Sequence, residues 1–186
     1  FEFEKALQAT NECSRNSLHE SNRKAFWLFK TAAIYYAQGN LASGNEKLNE
    51  AKVIMQHVKD PDHLLQFYDF FLQGRRYRFT GNRSEALQCF RRAEAHSSFI
   101  GKEHPHELTW FYRETGYMLY LLDSFFDAIH YYDMAIKSIP GNTFLDLHEI
   151  NTLKAKQADA YWYTKEKDLS LKLVQNCLAY IDTAVN

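Results

Sequence analysis

Apolar residues recur along much of the chain at steps of three and four residues, the spacing of one face of an α-helix. A clear example is the run Phe67, Phe70, Phe71, Gly74 and Tyr77. Only 7 Gly and 3 Pro occur among 186 residues, which argues against disorder and against a turn-rich β fold. The pattern therefore predicts an all-α chain of about eight to nine helices.

The helical pattern repeats itself after 42 residues. A shift by that step places Gly74 on Gly116, and it aligns small residues in three columns. The columns are Ala32/Gly74/Gly116/Ala158, Gly44/Ala86/Ala128/Ser170 and Ala51/Ala93/Ala135/Cys177. Small residues in every position of three columns are not expected by chance, so the sequence predicts a structural repeat.

Each unit of the repeat is predicted to be a helix–turn–helix pair. Small side chains in the columns let two antiparallel helices approach closely, and large side chains fill the spaces around them. The turns inside the pairs are predicted at Gly39-Asn40, Gly81-Asn82, Asp123-Ser124 and Lys165–Lys167. The three prolines, where a helix must break, are predicted between units, at Pro61, Pro105 and Pro140.

These residues resemble the tetratricopeptide repeat (TPR), whose pattern is W-x2-L-G-x2-Y, then A-x3-F and a late P. The second unit reads Phe70-x2-Gln73-Gly74-x2-Tyr77 and Ala86-x3-Phe90, and the third reads Tyr112-x2-Thr115-Gly116-x2-Leu119, Ala128-x3-Tyr132 and Pro140. Gln73 and Thr115 stand where Leu is usual. The resemblance implies an α-solenoid, a right-handed superhelix of about four repeats whose first helices line a concave face.

By this resemblance the four repeats are expected at about residues 25–66, 67–108, 109–150 and 151–186. Residues 1–24 are expected to be the second helix of a preceding, truncated repeat plus a connection, because Phe3, Ala6 and Leu7 follow a second-helix pattern. We therefore expect the chain to begin within a repeat, with an N-terminal part of the protein missing.

The period is eight residues longer than the common TPR unit of 34. Units of this length are similar to two groups of proteins. Kinesin-light-chain-type repeats often carry G-K-x-H-P between units, as in Gly101-Lys102-Glu103-His104-Pro105. Bacterial quorum-peptide receptors of the Rap, NprR and PlcR type contain segments similar to FFLQGRRYRF and SFFDAIHYYDMAIKSI.

The resemblance marks candidate groove residues on the four first helices, where this repeat family binds peptides or partner helices. They are Phe29, Lys30, Tyr36, Tyr68, Phe71, Arg75, Arg78, Trp110, Arg113, Glu114, Tyr117, Tyr120, Lys156, Asp159 and Trp162. Five are basic and two acidic, in a chain of net charge −1. Because guanidinium groups bind carboxylates and aromatic faces hold apolar side chains, we expect a peptide or protein segment with an acidic group or a free C-terminus. Alternatively, the aromatics only hold helices together and the charges are solvated.

Other binding chemistry has little support. The densest basic stretch includes Arg75, Arg78 and Arg91, but helical spacing scatters it over several faces, so nucleic acid is not an expected partner. His106-Glu107 begins like the metalloprotease motif H-E-x-x-H, but Trp110 replaces the second His. Three widely spaced Cys form no C-x-x-C pair, so we expect neither a metal site nor disulfides, and a cytoplasmic location.

No nucleotide-binding or serine-hydrolase motif occurs, so we expect no cofactor and no enzymatic activity in this region. The favoured interpretation is a ligand-sensing domain of a bacterial regulatory protein that binds a short signalling peptide. One alternative is a kinesin-light-chain-like scaffold or adapter, and another is the regulatory half of a Rap-type response-regulator phosphatase. No apolar run is long enough to span a membrane, and homo-oligomers are an open possibility.

Overall fold

The computed structural model describes residues 2–17, 21–101, 103–141 and 143–185, and these residues form nine α-helices and no strand. The helices are α1 (Glu2–Asn16), α2 (Ser21–Ala37), α3 (Leu41–Met55), α4 (His63–Phe79), α5 (Arg83–Ile100), α6 (Pro105–Leu121), α7 (Phe125–Ser138), α8 (Phe144–Trp162) and α9 (Lys167–Val185). The predicted all-α class is therefore confirmed. No described helix is both long and apolar enough to cross a bilayer.

The helix starts follow the predicted period. The second helices of the pairs, α3, α5, α7 and α9, begin at Leu41, Arg83, Phe125 and Lys167, which are 42 residues apart. Each first helix begins before the expected repeat boundary, and α8 begins earliest relative to it, at Phe144 rather than residue 151. The division into four repeats at those boundaries stays a prediction. By its internal contacts the chain divides into unit 1, Phe1–Phe99, and unit 2, Ile100–Asn186.

In unit 1, α2 packs against α1 and α3, and α4 packs against both α2 and α3. The small residues of the columns lie where paired helices approach each other most closely. A Cβ added at Gly44 would come within 2.6 Å of the Tyr36 ring, and one added at Gly74 would overlap the ring of Phe90. Phe90 and Phe71 are fully buried, with ring centroids 6.0 Å apart. Glycine at residue 74 therefore leaves the room that the Phe90 ring occupies between α4 and α5.

Unit 2 repeats this arrangement. Helix α6 packs on α7, α7 on α8, and α8 on α9. A Cβ at Gly116 would lie 2.9 Å from the Tyr132 ring and 3.2 Å from the carbonyl oxygen of Ala128. In the last pair, Ser170 fills the position of Ala128 and donates a 2.7 Å hydrogen bond to the carbonyl of Ala158. The same small columns thus set the helix spacing in both units.

The turns inside the first three helix pairs share one backbone conformation. Gly39, Gly81 and Asp123, which occupy the same column, have φ values of +74°, +79° and +60°. This left-handed conformation ends a helix and suits glycine because it has no Cβ. Pro61 and Pro140 lie between helices as predicted, whereas Pro105 is the first residue of α6, a helix position that tolerates proline.

Candidate functional site on the first helices

In unit 1, α2 and α4 present lysine and arginine side chains against aromatic rings. The Nζ of Lys30 donates a 3.2 Å hydrogen bond to the hydroxyl of Tyr68 and lies 5.6 Å from the centroid of the Tyr68 ring. The guanidinium of Arg78 lies 4.3 Å from the Phe79 centroid. At these distances the cations are attracted to the ring faces. The α2/α4 face therefore holds positive charges in fixed positions.

Arg75 lies deeper on the same face. Its side chain is only 3% exposed, and its guanidinium is 5.7 Å from the Tyr36 centroid and 5.6 Å from the Phe79 centroid. Tyr36 donates a 2.7 Å hydrogen bond to Asn45 Oδ1. Burial raises the pKa of Tyr36 to about 12, although the charges of Arg76 and Arg75 oppose the shift. Tyr36 therefore stays neutral as a packed hydrogen-bond donor at ordinary pH.

The structure places the predicted unit 1 residues in two classes. Phe29, Tyr36, Tyr68 and Phe71 are at most 1% exposed, so in this structure they are packing residues. Tyr68 packs its ring between the α2 side chains of Phe26 and Phe29, at centroid distances of 5.8 and 6.3 Å. Lys30 and Arg78 are half-buried and form the accessible part of the predicted set in this unit.

In unit 2, opposite charges link α6 and α8. Arg113 Nη1 donates a 2.7 Å hydrogen bond to Glu149 Oε1, and both side chains are about one-third exposed. Further along the same helices, the Nζ of Lys156 lies 5.6 Å from the Tyr117 centroid. Glu114, also a predicted groove residue, is buried. The predicted residues Arg113, Tyr117 and Lys156 are thus brought to one face, with Glu149 as a carboxylate that the sequence did not reveal.

Aromatic residues occupy the C-terminal end of this α6/α8 face. The ring of Tyr163 is stacked on Phe125 at 4.9 Å and meets Tyr120 at 6.0 Å. Burial, with hydrogen bonds to Asp159 and Tyr163, raises the pKa of Tyr120 above its usual range. Trp162 is 49% exposed and lies 5.0 Å from the ammonium of Lys167, so it points away from this cluster toward the start of α9.

A cleft of about 510 Å³ lies at the N-terminal end of α6 and α8. Its lining residues are His106, Thr109, Trp110, Arg113, Ile139, Leu145, Asp146, His148 and Glu149. It contains two predicted groove residues, Trp110 and Arg113, beside an ion pair that is partly open to solvent. An aromatic ring, an arginine and exposed apolar carbon in one cleft can accept a side chain that carries a carboxylate.

Other predicted chemistry is placed as follows. Arg91 and Arg92 are exposed on α5, whereas Arg75 is buried on α4, so the arginine-rich stretch forms no single patch. The cysteines, Cys13, Cys89 and Cys177, are free thiols. Within the ranges that the structure describes, no three His, Cys, Asp or Glu side chains come together as metal ligands.

Three solved structures match nearly the whole chain. BtubC from P. vanneervenii has a TM-score of 0.68 at 15% identity, over 95% of this chain and 72% of its own. MamA has a TM-score of 0.59 at 16% identity, over 98% and 91%. A kinesin light chain-like protein from Podosopora anserina with nearly identical TPR-like repeats has a TM-score of 0.60 at 15% identity, over 98% and 88%.

No protein-family model and no curated protein sequence matches the chain. The resemblance to quorum-peptide receptors stays a prediction. At 15–16% identity the structural matches bear on the fold alone. Together with the nine helices and their 42-residue spacing, they show that this chain has the fold of the TPR-like helical repeat proteins.

Proposed function

We propose that the chain is a non-enzymatic binding module that holds a peptide or protein segment on its first helices, with an acidic group of the ligand in the α6/α8 cleft. The observation that carries the proposal is the ion pair between Arg113 and Glu149 beside Trp110. The 2.7 Å contact places the guanidinium where it can bind a carboxylate, and the partial exposure of both groups lets a ligand carboxylate compete with Glu149.

The finer proposal is that the ligand is a short signalling peptide and the module part of a bacterial regulator. Its support is the resemblance of the segments FFLQGRRYRF and SFFDAIHYYDMAIKSI to quorum-peptide receptors. An adapter that binds a segment of another protein is the second candidate, and the fold shared with a kinesin light chain-like protein favours it. The regulatory half of a Rap-type phosphatase is the third. All three use the same cleft and differ in the ligand's length and source.

The experiment is a peptide-array screen of short acidic and hydrophobic sequences, followed by calorimetric titration of the best binder. Arg113→Ala should weaken binding roughly tenfold to a hundredfold, the equivalent of about 1.5–3 kcal/mol for a hydrogen bond to a charged group. Glu149→Gln should strengthen binding of the same peptide, because the internal competitor for Arg113 loses its charge. If the two substitutions in this ion pair change the affinity in opposite directions, the ligand carboxylate binds in the cleft.

The matched control is Arg91→Ala, which removes an exposed arginine from α5. It should leave the affinity unchanged. Equal losses of affinity in Arg113→Ala and Arg91→Ala would mean non-specific charge attraction. If neither variant loses affinity for the acidic peptide, the binding site lies elsewhere. Raising the salt concentration should reduce the effect of Arg113→Ala, since a partly exposed pair is screened.

A further inference from the structure

Large hydrophobic and aromatic side chains are exposed around the two turns inside the helix pairs of unit 2. Their exposed fractions range from 38% to 65%. The stacking of Tyr163 on Phe125, at a centroid distance of 4.9 Å, brings the two turns together. Exposed clusters of this kind mark interaction sites. We refer to the set as the turn edge, which consists of Leu122 and Phe126 at the α6–α7 turn and Trp162, Tyr163 and Leu169 at the α8–α9 turn.

The repeat does not require apolar residues at these turns. The residues that stand 42 and 84 positions before Leu122 and Phe126 are polar or small: Thr80, Gln38, Ser84 and Ala42. In the described part of unit 1, the exposed large hydrophobic side chains lie away from the α2–α3 and α4–α5 turns. Helix α8 packs on α7, yet Phe126 remains 65% exposed. Neither the turn nor the following helix pair therefore accounts for the exposed ring of Phe126.

Exposed carboxylates accompany the turn edge. Within residues 122–127 and 162–169, four acidic residues and two lysines give a net charge of −2, against −1 for the whole chain. The ammonium of Lys167 lies 5.0 Å from the Trp162 ring. Among the side chains that the structure describes, none forms an ion pair with these four carboxylates. The acidic residues are Asp123, Asp127, Glu166 and Asp168.

We propose that the turn edge binds a segment of another protein in which lysine or arginine stands beside apolar side chains. Burial of the exposed rings drives the association, and the carboxylates without ion-pair partners select a positively charged segment. A second copy of the chain would bring a second edge of the same negative charge, and an anionic membrane surface is negative as well. Charge repulsion therefore disfavours both of these occupants.

The turn edge is separate from the proposed ligand cleft. It lies at the C-terminal ends of α6 and α8, whereas the cleft lies at their N-terminal ends. The 17 residues of α6 span about 25 Å. The cleft presents Arg113 to a carboxylate, and the turn edge presents carboxylates to a cation. The two surfaces thus take ligands of opposite charge and are tested by different variants.

The test is a selection of short phage-displayed peptides of random sequence on the 186-residue chain, with Phe126→Ser as the counter-selection target. Peptides that bind the unchanged chain and not the variant should combine Lys or Arg with Leu or aromatic residues. In calorimetric titration of the strongest one, Phe126→Ser should raise the dissociation constant at least about tenfold. Phe99→Ser is the matched control, because Phe99 is 64% exposed in unit 1, and it should leave the affinity unchanged.

A second pair of variants tests the charge. Asp127 and Glu85 stand at the same position of successive repeats, each exposed in the first turn of a second helix. Replacement by lysine therefore costs both helices the same favourable interaction with the helix dipole. Asp127→Lys should weaken binding of the selected peptide several-fold at low salt and less at high salt, whereas Glu85→Lys should not.

Four results would overturn the proposal. The first is that no selected peptide depends on Phe126, and the second is that the dependent peptides are acidic. The third is an equal loss of affinity in Asp127→Lys and Glu85→Lys. The fourth is a different occupant: binding to phosphatidylcholine–phosphatidylserine vesicles, or a dimer in sedimentation velocity, that Phe126→Ser abolishes.

Discussion

Replacing Ala86 by leucine tests whether the small columns set the distance between paired helices. Ala86 is fully buried on α5, and its carbonyl oxygen lies 3.2 Å from the position that a Cβ would take at Gly74 on α4. Leucine adds three carbon atoms at this crossing, so the side chain or the helices must shift. Overpacking of this kind costs about 1–3 kcal/mol. The intrinsic helix propensities of Ala and Leu are close, so the backbone contributes little.

The chain offers a control on the same helix. Ala95 is exposed on α5, so Ala95→Leu makes the same chemical change outside the crossing. Ala95→Leu should change the free energy of unfolding by no more than about 0.5 kcal/mol. In thermal unfolding followed by circular dichroism, Ala86→Leu should lower the midpoint by roughly 2–12 °C, from a sensitivity of about 2–4 °C per kcal/mol. Equal midpoints for the two variants would refute the close-contact role of the column.

Two further predictions concern a turn and a histidine pair. Asp123→Gly should raise the free energy of unfolding by about 1 kcal/mol in urea, because φ is +60° at this position and glycine adopts that conformation without strain. No gain would mean that the Asp123 side chain compensates for the strain. The Nδ1 atoms of His63 and His96 are 2.9 Å apart, and burial together with His63 lowers the pKa of His96. Below about pH 6.5 the unfolded chain therefore binds more protons at His96 than the folded chain does. The free energy of unfolding should have its full value above about pH 6.5 and fall as pH decreases through the folded pKa of His96. His96→Gln should flatten this pH dependence in urea unfolding.

The fold could be predicted from the sequence because two kinds of position tolerate few residues. The crossing at Gly74 admits no larger side chain beside Phe90, and the turn at Gly39 and Gly81 needs a left-handed backbone. Because these requirements recur in each repeat, they produce the 42-residue period in the sequence. The early start of α8 also had a local signal. Thr143 and Asp146 form a reciprocal capping box, the S/T-x-x-D/E pattern that starts a helix, and the expected boundary at residue 151 overlooked it.

The candidate site was less predictable, because helical spacing does not separate a packing aromatic from a binding one. Tyr68 and Tyr117 lie on successive first helices, yet Tyr68 is fully buried beside Phe29 whereas Tyr117 is half-buried near Lys156. The pairing of Arg113 with Glu149 depends on the register between α6 and α8, which no local pattern encodes. Such cross-helix contacts become visible only when the helices are placed.

The buried aromatics of the α2/α4 face also bear on recognition, because they fix the cations above them. Lys30 is held by the Tyr68 hydroxyl, and the guanidinium of Arg78 lies 4.3 Å from the centroid of the Phe79 ring. A long cationic side chain normally loses rotamer entropy when it binds a ligand, and a side chain that is already held loses less. The same rings that pack α2 against α4 thus preorganise the charges. Binding to this face would therefore depend on residues such as Tyr68 that a ligand cannot reach.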